Sequence, residues 1–252
     1  MIFKAGFLVP LYNHGRTIKK VVASLVEFDL PVIIVDDGSD DETKQQLAET
    51  LTAFPLASSL CLKKNSGKGA ALIAGFFYAR DRGLSHVLQI DADAQHDVSR
   101  CRFFLEQAQK NPRAAICGRP EYNESVPPAR LKGREVSRFW SRVCTLSNDI
   151  KDSLCGFRVY PVDASLRVIQ NTWIDKRMAF DPEILVRFVW AGVPLVFFPV
   201  RVNYPADGIS HFRMVADNVR ISFSFSRLFF GMIIRLPLLV ARKCKSRRED
   251  QT

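Results

Sequence analysis

The stretch QIDADAQHD (89–97) sets Asp91 and Asp93 one residue apart where an apolar run ends, with Gln95 and His96 behind them. In an extended segment residues two apart point the same way, about 7 Å apart along the backbone, so Asp91, Asp93 and Gln95 would line one side. Two carboxylates held that close repel unless a cation sits between them. Mg²⁺ and Mn²⁺ are commonly held by one or two carboxylates together with substrate phosphate oxygens. The pair therefore reads as a hard-cation site to which Gln95 adds a neutral oxygen. The competing reading is a solvated turn capping the next helix, and His96 and Asp97 read as that turn.

A second acidic pair, Asp36 and Asp37, ends the run VIIV and precedes Gly38. A carboxylate at such a strand end suits the ribose and base donors of a nucleoside, whereas Ser39, Asp40 and Asp41 are explained by helix capping alone. NSGKGA (65–70) puts Gly67 and Lys68 just ahead of a helix, where a backbone N–H and an ammonium can meet a phosphate. Its spacing is neither that of a P-loop nor that of GxGxxG. Asp181 and Glu183 are the candidate general bases toward an acceptor, although Asp181 before Pro182 is also an ordinary helix start.

Positioning these groups falls to a repeated unit. Short apolar runs at 6–10, 32–38, 57–64, 86–90 and 114–118 alternate with helical patterns at 17–28, 39–51, 71–83 and 98–111. Such alternation predicts an α/β domain with a mostly parallel sheet, helices on both faces and a ligand crevice at the carboxyl ends of the strands. Both acidic pairs fall at such ends. Residues 119–135, rich in proline and arginine, read as a mobile loop over the crevice. A helix (136–147), a strand (154–160), two helices (162–170 and 180–192) and a strand (194–202) follow.

The chain has 252 residues, 47% of them apolar, which is enough for one large core, and its net charge of +10 suggests a polyanionic partner. Six cysteines without CxxC spacing argue against disulfide or zinc frameworks and fit a reducing cytosol. The N-terminal residues are too short an apolar run for a signal peptide and read as a first strand. No run of about 18 uncharged apolar residues occurs, so no ordinary transmembrane helix is expected.

Taken in order, LVPLYNHGRTI (8–18), VIIVDDGSDDET (32–43), KNSGKGAALIAGF (64–76), LQIDADAQHD (88–97), CGR (117–119), DSLCGFRVY (152–160) and FDPEILVR (180–187) resemble glycosyltransferase family 2. Within it, the dolichyl-phosphate or polyprenyl-phosphate sugar synthases are the nearest likeness. The resemblance implies a single Rossmann-like domain of the glycosyltransferase A type over 1–204. Pro10, Tyr12, Asn13 and Asp37 would serve the nucleoside, Asp91 the ribose and metal, and Asp93 and Gln95 the metal and diphosphate. Arg119, and Arg130 or Arg134 of the following loop, would face phosphates. It further implies a UDP- or GDP-sugar donor, a Mg²⁺ or Mn²⁺ cofactor and inversion at the anomeric carbon. His14 stands where the family usually carries an acidic residue, which bears on donor selectivity. The QxxRW signature of processive synthases is absent, pointing to a single sugar per acceptor.

Residues 205–252 pose a separate question. Arg213, Arg220, Arg227, Arg235 and Arg242 recur at gaps of 7, 7, 8 and 7 among phenylalanines and leucines, ahead of the basic end RKCKSRR. On a helix these arginines form a stripe, as in a helix lying in an anionic bilayer interface. Gly231 and Pro237 are expected to break the stretch into two or three helices. Ser210, His211 and Arg213 are candidates for an acceptor phosphate. The expectation is a peripheral enzyme at the cytosolic face of the membrane, moving one sugar to a lipid or lipid-phosphate acceptor, with no nucleic-acid partner. The rivals are a haloacid-dehalogenase-like phosphatase, whose later motifs are missing, and a non-catalytic membrane- or nucleic-acid-binding protein on a degenerate transferase scaffold.

Overall fold

The computed structural model describes residues 2–121, 128–201 and 214–249. Its chain order is β1 (Ala5–Leu11), α1 (Gly15–Val26), β2 (Val32–Asp36), α2 (Asp41–Ala53), β3 (Ala57–Cys61), α3 (Lys68–Asp81), β4 (His86–Gln89) and α4 (Cys101–Lys110). Then come β5 (Ala115–Glu121), α5 (Pro128–Thr145), β6 (Arg158–Pro161), α6 (Val162–Gln170), α7 (Phe180–Ala191), β7 (Leu195–Arg201) and α8 (Met214–Glu249). The strands form one sheet in the order β3-β2-β1-β4-β6-β5-β7. Every neighbouring pair is parallel except those made by β6, which runs against both β4 and β5.

Both faces of the central strands are apolar, as a sheet covered on two sides requires. Phe7, Val9, Val32 and Ile34 pack with α1, α2 and α4 on one face, while Leu8, Ile33 and Val35 pack with α3, α6 and α7 on the other. Gly75 of α3 lets that helix approach β1, since a β-carbon there would overlap Leu8. α8 belongs to the second layer: Phe225, Leu228, Met232 and Leu239 are buried in the same apolar cluster as α7.

Two expectations are corrected. Both ends of the segment 119–135 are regular structure, because β5 continues to Glu121 and α5 already begins at Pro128, a residue suited to the first helical position, while 122–127 lie outside the described residues. Neither Gly231 nor Pro237 breaks α8, which is one helix of 36 residues with Pro237 on its exposed side. Docked apolar residues on either side of Pro237 hold the axis against the domain despite the lost hydrogen bond.

His86 on β4 is buried, with Nε2 3.0 Å from the Pro112 carbonyl and Nδ1 2.9 Å from the Ser85 hydroxyl. Burial lowers its imidazole below the ordinary value, outweighing the Pro112 carbonyl. Below about pH 6.5 the unfolded chain takes up a proton that the folded chain resists, so stability falls as pH drops through that window. Urea midpoints at about pH 7 and pH 5 should therefore differ more in the native chain than in a His86→Gln variant.

Candidate active site

β1, β2, β3, β4, β5 and β7 end at the same edge of the sheet, and the reversed β6 begins there, with Arg158 in register beside Gln89. The candidate residues gather along this edge. β2 delivers Asp36 and Asp37, the turn after β3 delivers Gly67 and Lys68, the exit of β4 delivers Asp91, and the first turn of α7 delivers Asp181.

At the centre, Lys68 Nζ lies 2.9 Å from Asp91 Oδ1 and 3.1 Å from Asp181 Oδ2. Gln89 donates from Nε2 to Asp91 Oδ1 at 3.2 Å, and His96 Nε2 lies 3.4 Å from Asp91 Oδ2. Burial alone would raise the Asp91 carboxyl, but Lys68 and His96 outweigh it and hold it well below the usual range. The two carboxylates likewise raise the Lys68 ammonium despite its desolvation. Behind them the fully buried Arg158 donates to the carbonyls of Ser153 at 2.8 Å and Asp181 at 2.9 Å and to the Tyr160 hydroxyl at 3.2 Å. Arg158 thus fixes the first turn of α7 against the 152–157 segment.

Asp93 is in the opposite condition. Its Oδ1 accepts from the Gln95 N–H at 3.0 Å, and its carboxyl is raised by burial and then by the neighbouring Asp91 charge. It is a desolvated carboxylate beside a second anion, which is where a divalent cation relieves the most repulsion. Among the described residues no three His, Cys, Asp or Glu side chains converge to hold a metal unaided. Asp91 and Asp93 nevertheless fit Mg²⁺ or Mn²⁺, which complete their shells with phosphate and water oxygens. The route by which the pair is brought together differs from the extended alternation read from sequence: residues 92–94 form a turn, with Ala94 at φ 58°, and Gln95 enters through its backbone N–H.

Six buried side-chain polar atoms among the described residues lack a hydrogen-bond partner, and four of them, Gln89 Oε1, His96 Nδ1, Arg158 Nε and Asp181 Oδ1, surround this cluster. A fifth, Asp36 Oδ2, lies at the adjoining end of β2. Buried polar atoms are satisfied almost everywhere in folded proteins, so their concentration here sets this cluster apart from the apolar layers.

The other candidates divide. Asp37 accepts from the N–H groups of Ser66 and Gly67, both at 2.7 Å, and burial still raises its carboxyl. The glycine turn after β3 therefore directs these N–H groups at Asp37 and not at an open phosphate position. Gly67 sits at φ 105°, where a β-carbon would overlap the Lys176 carbonyl and the Arg177 side chain. Gly67→Ala should cost about 1–3 kcal/mol in strain and displace the Asp37 clamp, readable as a lower melting temperature.

Pro10 and Tyr12 lie partly buried at the end of β1. Asn13, at φ 51°, accepts from Asp40 N–H on its side chain and donates its own N–H to Ser39, so it ties α1 to the start of α2. Arg119 is exposed on β5. Arg134 on α5 donates to Asp152 at 2.7 Å, whose other oxygen accepts from Leu154 and Cys155 N–H. Arg130 lies in α5, while Ser210, His211 and Arg213 lie outside the described residues.

Glu183 does not join the cluster. It is fully buried and faces α8, accepting from Arg187 Nε at 2.7 Å, from Ser224 Oγ at 2.9 Å, from Asp175 N–H at 3.1 Å and from Arg227. Its place as a candidate base is corrected to that of an ion-pair hub. Conversely, His96 and Gln89, read from sequence as a turn and a strand residue, both hold Asp91. The signal available for His96 was its position three residues after Asp93; a turn folding it back onto Asp91 has no signature in spacing alone. The buried thiols of Cys117 and Cys155 are pushed up to about 12 by burial, which rules them out as nucleophiles near neutral pH.

Three arginines of the stripe meet the domain, while Arg220 is exposed. Arg227 stacks on Trp173 at 3.8 Å and binds Glu183, Arg235 stacks on Trp190 at 4.6 Å, and Arg242 donates to the Trp190 carbonyl at 2.9 Å. Phe223, Phe230, Ile233, Ile234, Leu236 and Leu238 point outward and exposed. The segment Ala216–Lys243 is, among the described residues, the one helix long and apolar enough by length and composition to cross a membrane, where the sequence reading expected none.

Compared with known proteins, residues 7–165 match the model for "Glycosyl transferase family 2". The chain is 28% identical over 200 residues to the dolichyl-phosphate beta-glucosyltransferase ALG5D of Trichomonas vaginalis, covering 72% of this chain and 60% of that relative's length. It is 30% identical over 246 residues to the dolichyl-phosphate beta-glucosyltransferase of Dictyostelium discoideum, covering 86% and 73%. Among solved structures, glucosyl-3-phosphoglycerate synthase of Mycobacterium tuberculosis, in complex with Mn²⁺ and UDP-glucose, superposes with a TM-score of 0.68 at 13% identity, over 91% of this chain and 79% of that one.

Proposed function

Because the chain belongs to glycosyltransferase family 2, we propose that it transfers a single sugar from a UDP- or GDP-sugar to a polyprenyl-phosphate acceptor at the cytosolic face of a membrane. The observation carrying this reading is the crevice at the strand ends, where desolvated Asp93 stands beside the Asp91–Lys68–Asp181 cluster and the orphaned polar atoms. Relatives named for dolichyl-phosphate glucosylation and a fold neighbour holding Mn²⁺ with UDP-glucose support the donor and acceptor classes.

In this account Pro10, Tyr12 and Asp37 receive the nucleoside, and Arg119 the donor phosphates. Asp91 and Asp93, the latter oriented by the Gln95 N–H, would hold Mg²⁺ or Mn²⁺, which when bound stabilises the charge on the departing diphosphate. An acceptor phosphate oxygen forms the new bond to the anomeric carbon from the face opposite the diphosphate. The diphosphate oxygen takes the electron pair of the broken bond, and the configuration inverts. A phosphate anion needs no proton removed, so Asp181 acts by holding Lys68 beside the reacting groups; for a hydroxyl acceptor it would serve as the base. Arg134, together with Ser210, His211 and Arg213, is assigned to the acceptor phosphate. The outward apolar side of α8 supports work at a lipid surface.

A thermal-shift screen of UDP, GDP and their sugars with and without Mn²⁺ tests the donor half. A ligand that binds only the folded state raises its melting point. Stabilisation that requires the metal is expected; none with any nucleotide would sink the reading.

A further inference from the structure

At the far end of α7 from Asp181 lies a second concavity of about 770 Å³, between the C-terminal parts of α5 and α8 and the Val189–Gly192 end of α7. Gly192 is eleven positions from Asp181, on the order of 15 Å along the helix, so the concavity is distinct from the cleft. Its lining combines apolar side chains, Phe139, Val143 and Leu239 among them, with the cations Arg142, Arg242 and Lys243. Asp149 is the one acidic residue lining it.

Two of these cations are oriented by backbone carbonyls. Arg242 donates to the Trp190 carbonyl at 2.9 Å, at the C-terminal end of α7, and Lys243 donates to the Leu146 carbonyl at 3.3 Å. Carbonyl dipoles orient these side chains but leave their formal charges for a further anion. The mouth opens beside apolar surface. Phe139 is 58% exposed, Leu236 and Val240 are exposed on α8, and Phe139, Trp140, Phe229 and Phe230 form a run of ring contacts across α5 and α8.

A groove that combines apolar side chains with three cations, beside an exposed apolar face, matches an amphiphile with one anionic head. We propose that this groove binds an anionic phospholipid of the membrane surface, its phosphate against Arg142, Arg242 and Lys243 and an acyl chain along Phe139, Val143 and Leu239. The site is separate from the acceptor and independent of the transfer chemistry. It fixes how the domain sits on the bilayer, because it selects charged lipid where the outward face of α8 selects only an apolar phase.

The test uses the full chain with dihexanoyl phosphatidylglycerol below its micelle concentration, read by isothermal titration. Saturable binding is expected, with none for dihexanoyl phosphatidylcholine and none for inorganic phosphate at the same concentration. Arg142→Glu should weaken binding about tenfold or more, whereas Arg138→Glu, reversing a charge on the same helix outside the groove, should change it about twofold or less. Equal binding of phosphate alone would mean a free-anion site and overturn the proposal. Equal binding of phosphatidylcholine, no binding of phosphatidylglycerol, or equal loss in the two variants would overturn it as well. The headgroup comparison, made on the unaltered chain, stands even if Arg142→Glu fails to fold.

Discussion

Asp93→Asn is expected to lower sugar transfer by roughly 10²–10³-fold while leaving the fold intact, the scale seen when one group stabilising transition-state charge is removed. Asparagine keeps the shape and can still accept from the Gln95 N–H. What disappears is a negative charge that burial and Asp91 already disfavour. The metal-free variant should therefore melt at or slightly above the native temperature, whereas Mn²⁺-dependent stabilisation by nucleotide should vanish. This separation of stability from activity distinguishes Asp93 from Asp91, whose charge also balances Lys68. Asp91→Asn should lose activity and stability together. Native-like transfer by Asp93→Asn would remove the metal-binding role assigned to this carboxylate.

Glu183→Ala is expected to lose about 3–5 kcal/mol of stability, the range for breaking a buried ion pair and leaving its partner unmatched. Four donors from three places converge on this carboxylate: Arg187 on α7, Ser224 and Arg227 on α8, and the Asp175 N–H ahead of α7. Removing it leaves two guanidinium groups facing each other across a space with little water. In a domain of this size the loss corresponds to a melting temperature lower by about 10 °C. The consequence reaches function, because the same first turn of α7 carries Asp181 two residues earlier and α8 is held to it. Denaturant unfolding of Glu183→Ala and Glu183→Gln reads the effect. A full-stability Glu183→Gln protein that has lost only activity would return Glu183 to the role of general base.

Much of the architecture was legible because period and punctuation agree. β1 and β2 are short apolar runs buried on both faces, and each ends in residues that leave the core at the crevice edge, so strand type, sheet type and site edge could be read together. The reversal of β6 was not legible: RVYP has the same apolar character as a parallel strand, and its direction is set by how α5 and the 146–157 segment return the chain. The extent of α5 was obscured by prolines and charges that suit a surface helix as well as a loop.

At the site, residue types were more legible than partners. Asp91 and Asp93 stand out by spacing, but their geometry comes from a turn at Ala92–Ala94 that alternation cannot anticipate. Lys68 was read as a phosphate neighbour, yet it bridges Asp91 and Asp181, groups 23 and 113 positions away that only the fold brings together. The periodicity places Arg227, Arg235 and Arg242 on one side of α8. Which way that side faces was not legible, because stacking on Trp173 and Trp190 and pairing with Glu183 make an inward arginine row more favourable than a solvated one.

The central claim is that this crevice transfers a sugar from a nucleotide to a polyprenyl phosphate. The most direct measurement incubates the full chain with radiolabelled UDP- and GDP-sugars, Mn²⁺ or Mg²⁺ and polyprenyl phosphate in detergent, and counts label in the organic phase. Label should pass to the lipid from at least one donor, require the divalent cation and be lost in Asp93→Asn. A folded, nucleotide-binding protein that moves no label to the lipid from any donor would contradict the account.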